Sequence, residues 1–174
     1  MSAALCYIPR VIIRQMFISP GHNYFGHHGR PPDDFPLKEV DEIECVAGRG
    51  IRGDRFYDYR HGYKGQITFF SHEVFERLSA AFPLIDKGPG ALRRNVIVSD
   101  ANLKALIGEE FELQGVRFLG TAHCKPCYWL DDAFSPGTEA WLKGNGGLRA
   151  QILTNGWLKV GSADLILAQR ELAI

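Results

Sequence analysis

Apolar and polar positions alternate in short runs along most of the chain, and that two-residue period predicts strands more often than helices. Residues 7–18 (YIPRVIIRQMFI) are β-branched and apolar, as in a buried first strand. Ile43, Cys45 and Ala47 alternate with polar or smaller neighbours, a half-buried strand pattern that runs into the glycine-punctuated GRGIRGDR at 48–55. A further β-like run at 65–70 (GQITFF) leads into a helix predicted over 72–82. Ser71 is placed to cap that helix, and Val74, Phe75, Leu78 and Phe82 share one face. LRRNVIV at 92–98 reads as a strand, 101–107 as a short helix stopped by Gly108, and Gln114-Gly115 as the turn of a strand pair. Strands are predicted over 147–168, joined at Asn155-Gly156 and Gly161-Ser162, the first of these a strong hairpin signal. The segment with Asp131, Asp132, Ser135, Pro136 and Gly137 is poor helix material. Strands outnumber helices without regular alternation, which favours a mainly β, barrel-like fold with a few helices over a doubly wound sheet.

Length adds a boundary to that pattern. The 174 residues suit a single domain spanning 1–174, without repeat, linker or low-complexity tract. Lys plus Arg and Asp plus Glu both number 20, so no net charge points to nucleic acid or an acidic membrane. The apolar N-terminus is interrupted by Arg10, Arg14 and two prolines, unlike an export signal or a membrane span. The expectation is a cytoplasmic protein whose four cysteines are reduced thiols. Cys6 and Cys45 fall on β-like segments and read as small core residues.

The sharpest chemical feature is Cys124-Lys125-Pro126-Cys127. A thiolate is the nucleophile of cysteine chemistry, and Lys125 and His123 are placed to lower a cysteine pKa here. Tyr128 and Trp129 are candidates for a pocket wall. Thioredoxin-like exchange normally places such a pair after a strand and at a helix start in a βαβ unit, a context not predicted here. A zinc site would need two more ligands than the pair supplies, from His123, Cys45 or the loop histidines His22, His27 and His28. The third reading is a sulfur-handling cysteine.

The rest of the chain bears on that choice. GIRGDR at 50–55, GQITFFSHEVFERL at 65–78, LRRN at 92–95, the Cys127 loop, GGLRAQIL at 146–153 and NGWLKVGSADLIL at 155–167 occur in one order. Together they resemble the MOSC domain family, related to the C-terminal domain of molybdenum-cofactor sulfurases, over roughly residues 8–168. The closing turn, Gly161-Ser162-Ala163-Asp164, departs from the Gly-Asp more usual there. The resemblance implies a stand-alone member with a pyruvate-kinase-barrel-like β-barrel. Its family cysteine matches Cys127, acting as persulfide carrier or molybdenum ligand. It implies a molybdenum cofactor (molybdopterin), bound permanently or in passing, with no pyridoxal phosphate in this chain. The implied partners are a cysteine desulfurase or a reductase. Two alternatives stand beside this: a molybdenum-dependent reductase of N-hydroxylated compounds with an electron-transfer partner, and a non-catalytic metal-stabilised binding module.

A pterin ligand with a phosphate asks for guanidinium donors, for which Arg52, Arg55, Arg93, Arg94 and Arg149 are candidates, alongside Asp54, Asn95 and Lys125. Two of the five arginines are expected to line the pocket, the others being solvated charges. Asp54 is expected to cap a turn or pair with Arg55. A turn between Cys124 and Cys127 would bring their sulfurs together and let Cys124 discharge sulfur from Cys127.

Overall fold

The computed structural model describes residues 9–24, 26 and 29–168, so Cys6, His27 and His28 lie outside the described residues. Twelve strands and three helices are present among them. The strands are β1 (Arg10–Ile18), β2 (Lys38–Val40), β3 (Glu42–Val46), β4 (Gly50–Ile51), β5 (Ile67–Ser71), β6 (Val96–Ser99), β7 (Glu110–Leu113), β8 (Val116–His123), β9 (Leu148–Ile152), β10 (Gly156–Lys159), β11 (Gly161–Asp164) and β12 (Ile166–Leu167). The helices are α1 (His72–Ala81), α2 (Trp129–Ala133) and α3 (Thr138–Trp141). None is long and apolar enough to cross a membrane.

Nine strands form one curled sheet in the order β11-β1-β6-β5-β9-β8-β7-β12, with β2 added beside β1. Its two end strands are consecutive in the chain, separated only by the buried Leu165. A single bent segment therefore pairs with β1 through one half and with β7 through the other, which makes the sheet barrel-like. The remaining three strands form a small sheet, β10-β3-β4.

Two apolar clusters follow from this layering. Strand residues such as Ile13, Ile67, Phe69, Val96, Phe118 and Ala150 fill the inner one. On the outer face, Phe17, Phe70 and Ile97 meet Leu78 of α1, Leu130 of α2, Phe134 and Leu142. Strand β1 serves both clusters through a bulge. Its register with β6 shifts between Ile13 and Gln15, and the extra residue inverts the alternation. Val11 and Ile13 point inward before the bulge, and Met16 after it, so that Phe17 faces the helices.

Helix α1 and its Ser71 cap form as the periodicity predicts, with Val74 N–H donating to Ser71 Oγ at 3.2 Å. The β7–β8 hairpin turns at Gln114-Gly115, both with positive φ. Other elements differ. Asn155-Gly156 is no hairpin: β9 lies between β5 and β8, whereas β10 pairs with β3. The Asn155 carboxamide instead accepts from Ala47 N–H at 2.8 Å, turning the chain from one sheet into the other. The helix expected over 101–107 is a short 3-10 turn, Leu103–Leu106. Two short helices form where poor helix material was expected. Burial of Leu130, Phe134 and Leu142 against the outer cluster outweighs local propensity there.

Candidate functional site

Loops from the first third of the chain, the entry to β6, the Cys127 loop and the start of β9 enclose a cavity of about 370 Å³. Four arginines line it, Arg55, Arg93, Arg94 and Arg149, together with Lys125 and both loop cysteines. That is twice the number of arginines expected. No carboxylate lines the cavity among the described residues. Its lining is cationic, with Arg55 compensated from behind by the buried Asp54.

The local backbone explains how these cations are held. Arg93 to Asn95 are not in a strand but lead into β6, after a 3-10 turn at Pro89–Leu92 that Arg93 closes at φ 54°. An L side chain adopts that conformation only when its surroundings hold it. Here Arg93 donates to Ser19 Oγ at 3.0 Å and to the Gly21 carbonyl at 2.9 Å, and its own carbonyl accepts from Arg55 at 2.9 Å. Burial, followed by the neighbouring charge of Arg55, pulls the Arg93 pKa down to about 10, which leaves it cationic at neutral pH. Arg94 donates through Nε to Gly146 O at 3.0 Å and through Nη1 to Leu92 O at 2.9 Å. Both are neutral acceptors, so each guanidinium is fixed without being neutralised.

Asp54 and Asn95 lie beneath the cavity wall and are not among its lining residues. Asp54 is buried, accepts from the Ser19 and Phe56 N–H groups at 3.1 and 3.2 Å, and pairs with Arg55 at 3.3 Å. It is the turn cap and ion-pair partner anticipated for it. The Asn95 carboxamide joins three segments. Its oxygen accepts from Thr68 N–H at 3.1 Å and Thr68 Oγ1 at 2.9 Å, and its nitrogen donates to Phe17 O at 3.2 Å. Arg52 is not at the cavity: it makes a two-pronged pair with Glu44 at 2.5 and 3.1 Å on the exposed face of the small sheet. It belongs with the solvated charges.

The two cysteines occupy different settings. Cys124 is buried and Cys127 is half-buried; neither is bridged. Cys124 N–H donates to Gly147 O at 2.8 Å, extending the β8–β9 pairing by one rung. A side chain on Gly146 would put its Cβ 2.0 Å from Cys124 O, so only glycine lets the two segments approach so closely. No turn or bend forms over Cys124–Cys127. The segment leads from β8 directly into α2, with Leu130 N–H donating to Cys127 O at 3.0 Å, and the charge of Cys124 reaches Cys127.

The electrostatics of Cys127 also differ from expectation. Burial pushes its thiol pKa up, against the downward pull of the Trp129 backbone and Arg94. Lys125 and His123 do not supply the stabilisation anticipated for them. Lys125 is exposed, and burial, with Lys104 and Arg94 nearby, lowers the pKa of His123 and favours its neutral form. Arg149 also stands out. Burial works to lower its pKa, but charge and a hydrogen-bonding contact from Cys124 prevail and the net shift is upward.

Aromatic rings complete the walls. Tyr24 stacks on Trp129 with centroids 4.9 Å apart, and Phe56 on Tyr63 at 5.1 Å; all four line the cavity. His22 meets Phe56 edge-on at 4.8 Å, and burial followed by the charge of Arg55 lowers its pKa. Trp129 and Tyr128 were candidates by sequence, whereas Tyr24, Phe56, Tyr63 and Thr68 were missed. The aromatic run from Phe56 to Tyr63, directly after Gly53-Asp54-Arg55, was the available signal. Among the described residues no group of three or more His, Cys, Asp or Glu side chains could hold a metal ion.

A family model described as MOSC domain matches residues 35–163. No curated protein matches the chain. Among solved structures, the YuaD protein of Bacillus subtilis superposes with a TM-score of 0.73 at 16% identity, over 92% of this chain and 97% of that one. YiiM from Geobacillus stearothermophilus gives 0.65 at 14% identity, over 94% and 77% of the two chains. YiiM from Escherichia coli gives 0.61 at 17% identity, over 91% and 71%. At these identities the likeness is one of fold.

Proposed function

The chain belongs to the MOSC domain family, and we propose that its cavity binds a molybdopterin-type cofactor, with Cys127 as the sulfur that meets it. One observation carries this reading: four arginines and a lysine surround two thiols in a cavity without a carboxylate. The donor set fits the group. A phosphate and pterin oxygens suit fixed guanidinium forks, a flat heterocycle suits the aromatic walls, and a thiolate is a soft donor. Arg55, Arg93, Arg94 and Arg149 would hold the anionic and carbonyl oxygens. Such a cofactor supplies molybdenum redox chemistry and a sulfur-exchangeable centre when bound.

What the protein's own residues do follows from their surroundings. Asp54 and Asn95 fix the cavity wall, the aromatic pairs line it with flat apolar faces, and Cys127 holds sulfur as a persulfide. Of the readings weighed for Cys127, carriage is favoured because the thiol is half-buried at the wall of an arginine-lined cavity, where Arg94 pulls against the cost of burial for an anion on this residue. A cysteine desulfurase is a partner suited to this role. The test is to incubate the purified chain with a cysteine desulfurase and labelled cysteine, then map the label. Label on Cys127, absent in Cys127→Ala, supports carriage; equal labelling of Cys127→Ala and wild type overturns it. Titration with an anionic pterin tests the cofactor half separately.

A further inference from the structure

We propose that the cavity also accepts sulfur directly from a small sulfur oxyanion of the thiosulfate class, without a protein donor. This rests on the reading of Cys127 as a sulfur carrier and names a donor for it. The argument begins with charge. A cavity lined by four arginines, with Arg93 and Arg94 held by neutral acceptors, and by no carboxylate favours oxyanions. Arg94 cannot swing away, because the Gly146 and Leu92 carbonyls hold two of its nitrogens. Its field reaches Cys127, and that of Arg149 reaches both cysteines.

Size and chemistry agree. Thiosulfate has five non-hydrogen atoms, and the cavity of about 370 Å³ is within the range that holds much larger small molecules. An oxyanion would occupy one part and leave room for a larger acceptor. The sulfonate oxygens match guanidinium forks, which leaves the outer sulfur for the thiol.

The step balances without an oxidant. The Cys127 thiol first gives its proton to solvent. The thiolate pair then forms a bond to the outer sulfur of thiosulfate, and the bond between that sulfur and the central one breaks. Its electron pair leaves with sulfite. The products are the Cys127 persulfide anion and sulfite, with total charge conserved.

The experiment incubates the reduced full chain, freed of reductant, with excess sodium thiosulfate at alkaline pH. Intact mass, peptide mapping and a sulfite assay are read together, with inorganic polysulfide as a comparison donor. One added sulfur on Cys127, one sulfite released per chain and saturation in thiosulfate are expected. Arg94→Gln and Arg149→Gln should each raise the half-saturating thiosulfate about tenfold. Arg117→Gln, at an exposed site on β8 paired with Glu110, should behave as wild type. Loading from polysulfide but not from thiosulfate overturns the oxyanion donor and leaves carriage standing. Failure to load from either overturns both. Loading at another cysteine, or half-saturation unchanged in both arginine variants, also overturns the proposal.

Discussion

Arg94 Nε donates to the carbonyl of Gly146 at 3.0 Å, while a Cβ on that glycine would stand 2.0 Å from Cys124 O. The approach to β6 and the approach to β9 are thus locked to each other beside both thiols. The fixed charge and the close backbone contact are two sides of one joint. Gly146→Ala should push the loop off Cys124, freeing Arg94 along with it. The expected loss is about 2–4 kcal/mol of stability, together with faster alkylation of Cys124 by iodoacetamide. Urea unfolding and peptide-resolved labelling check both; a variant with wild-type stability would show that the loop yields without cost.

Arg149 provides a cleaner measure of ligand electrostatics, because it is only half-buried and donates to no backbone carbonyl that the fold requires. Arg149→Gln should weaken binding of an anionic pterin by about ten- to a hundredfold, the loss of one charge-assisted hydrogen bond. Titration calorimetry reads the affinity, and an unchanged melting temperature keeps the effect at the site. Arg94→Ala should weaken binding similarly and also lower stability, since two carbonyls lose their donor.

Asn95 makes the opposite contribution. Replacing it with Ala leaves Thr68 N–H and Phe17 O buried without their partner. A cost of about 2–4 kcal/mol is expected, with a loosened cavity wall. The check is equilibrium unfolding, with hydrogen exchange at Thr68 as the local readout.

Alkaline pH should reveal Cys45, whose thiol burial pushes up from 9.0 to about 12. The unfolded chain releases that proton near the ordinary value, whereas the folded chain keeps it. The unfolded state therefore binds fewer protons across this window, and stability falls as pH rises from about 9 to about 12. Below it the group has no effect. Cys45→Ala should lower stability by a constant amount at neutral pH and narrow the gap to wild type through the window. Parallel curves for the two proteins would show that the Cys45 thiol titrates normally.

Local patterns announced the elements whose reasons are local. Ser71 before an apolar helix face and Gln114-Gly115 between alternating strands both behave as those residues do elsewhere. Asn155-Gly156 carries the same hairpin chemistry but serves as a corner. Its outcome depends on β3, more than a hundred residues earlier, which offers β10 an edge. At the site, the cysteine loop and arginines were legible as residue types that suit an anionic, sulfur-bearing ligand. Which arginines face the cavity was not, because Glu44 decides the place of Arg52 and Asp54 that of Arg55. The raised Cys127 thiol was likewise hidden, since its burial is a property of the folded loop and not of its neighbours in sequence.

The bent segment through Leu165 that joins both ends of the main sheet has a consequence for synthesis. A ribosome releases the chain from its N-terminus, so β1 and β7 emerge with open edges and wait for their shared partner. Until residues 161–167 are free, those edges can pair with other chains. Closure depends on contacts spanning almost the whole described length, the kind that form slowly. Late exit of the closing strand thus lengthens the time for which those two edges stay open.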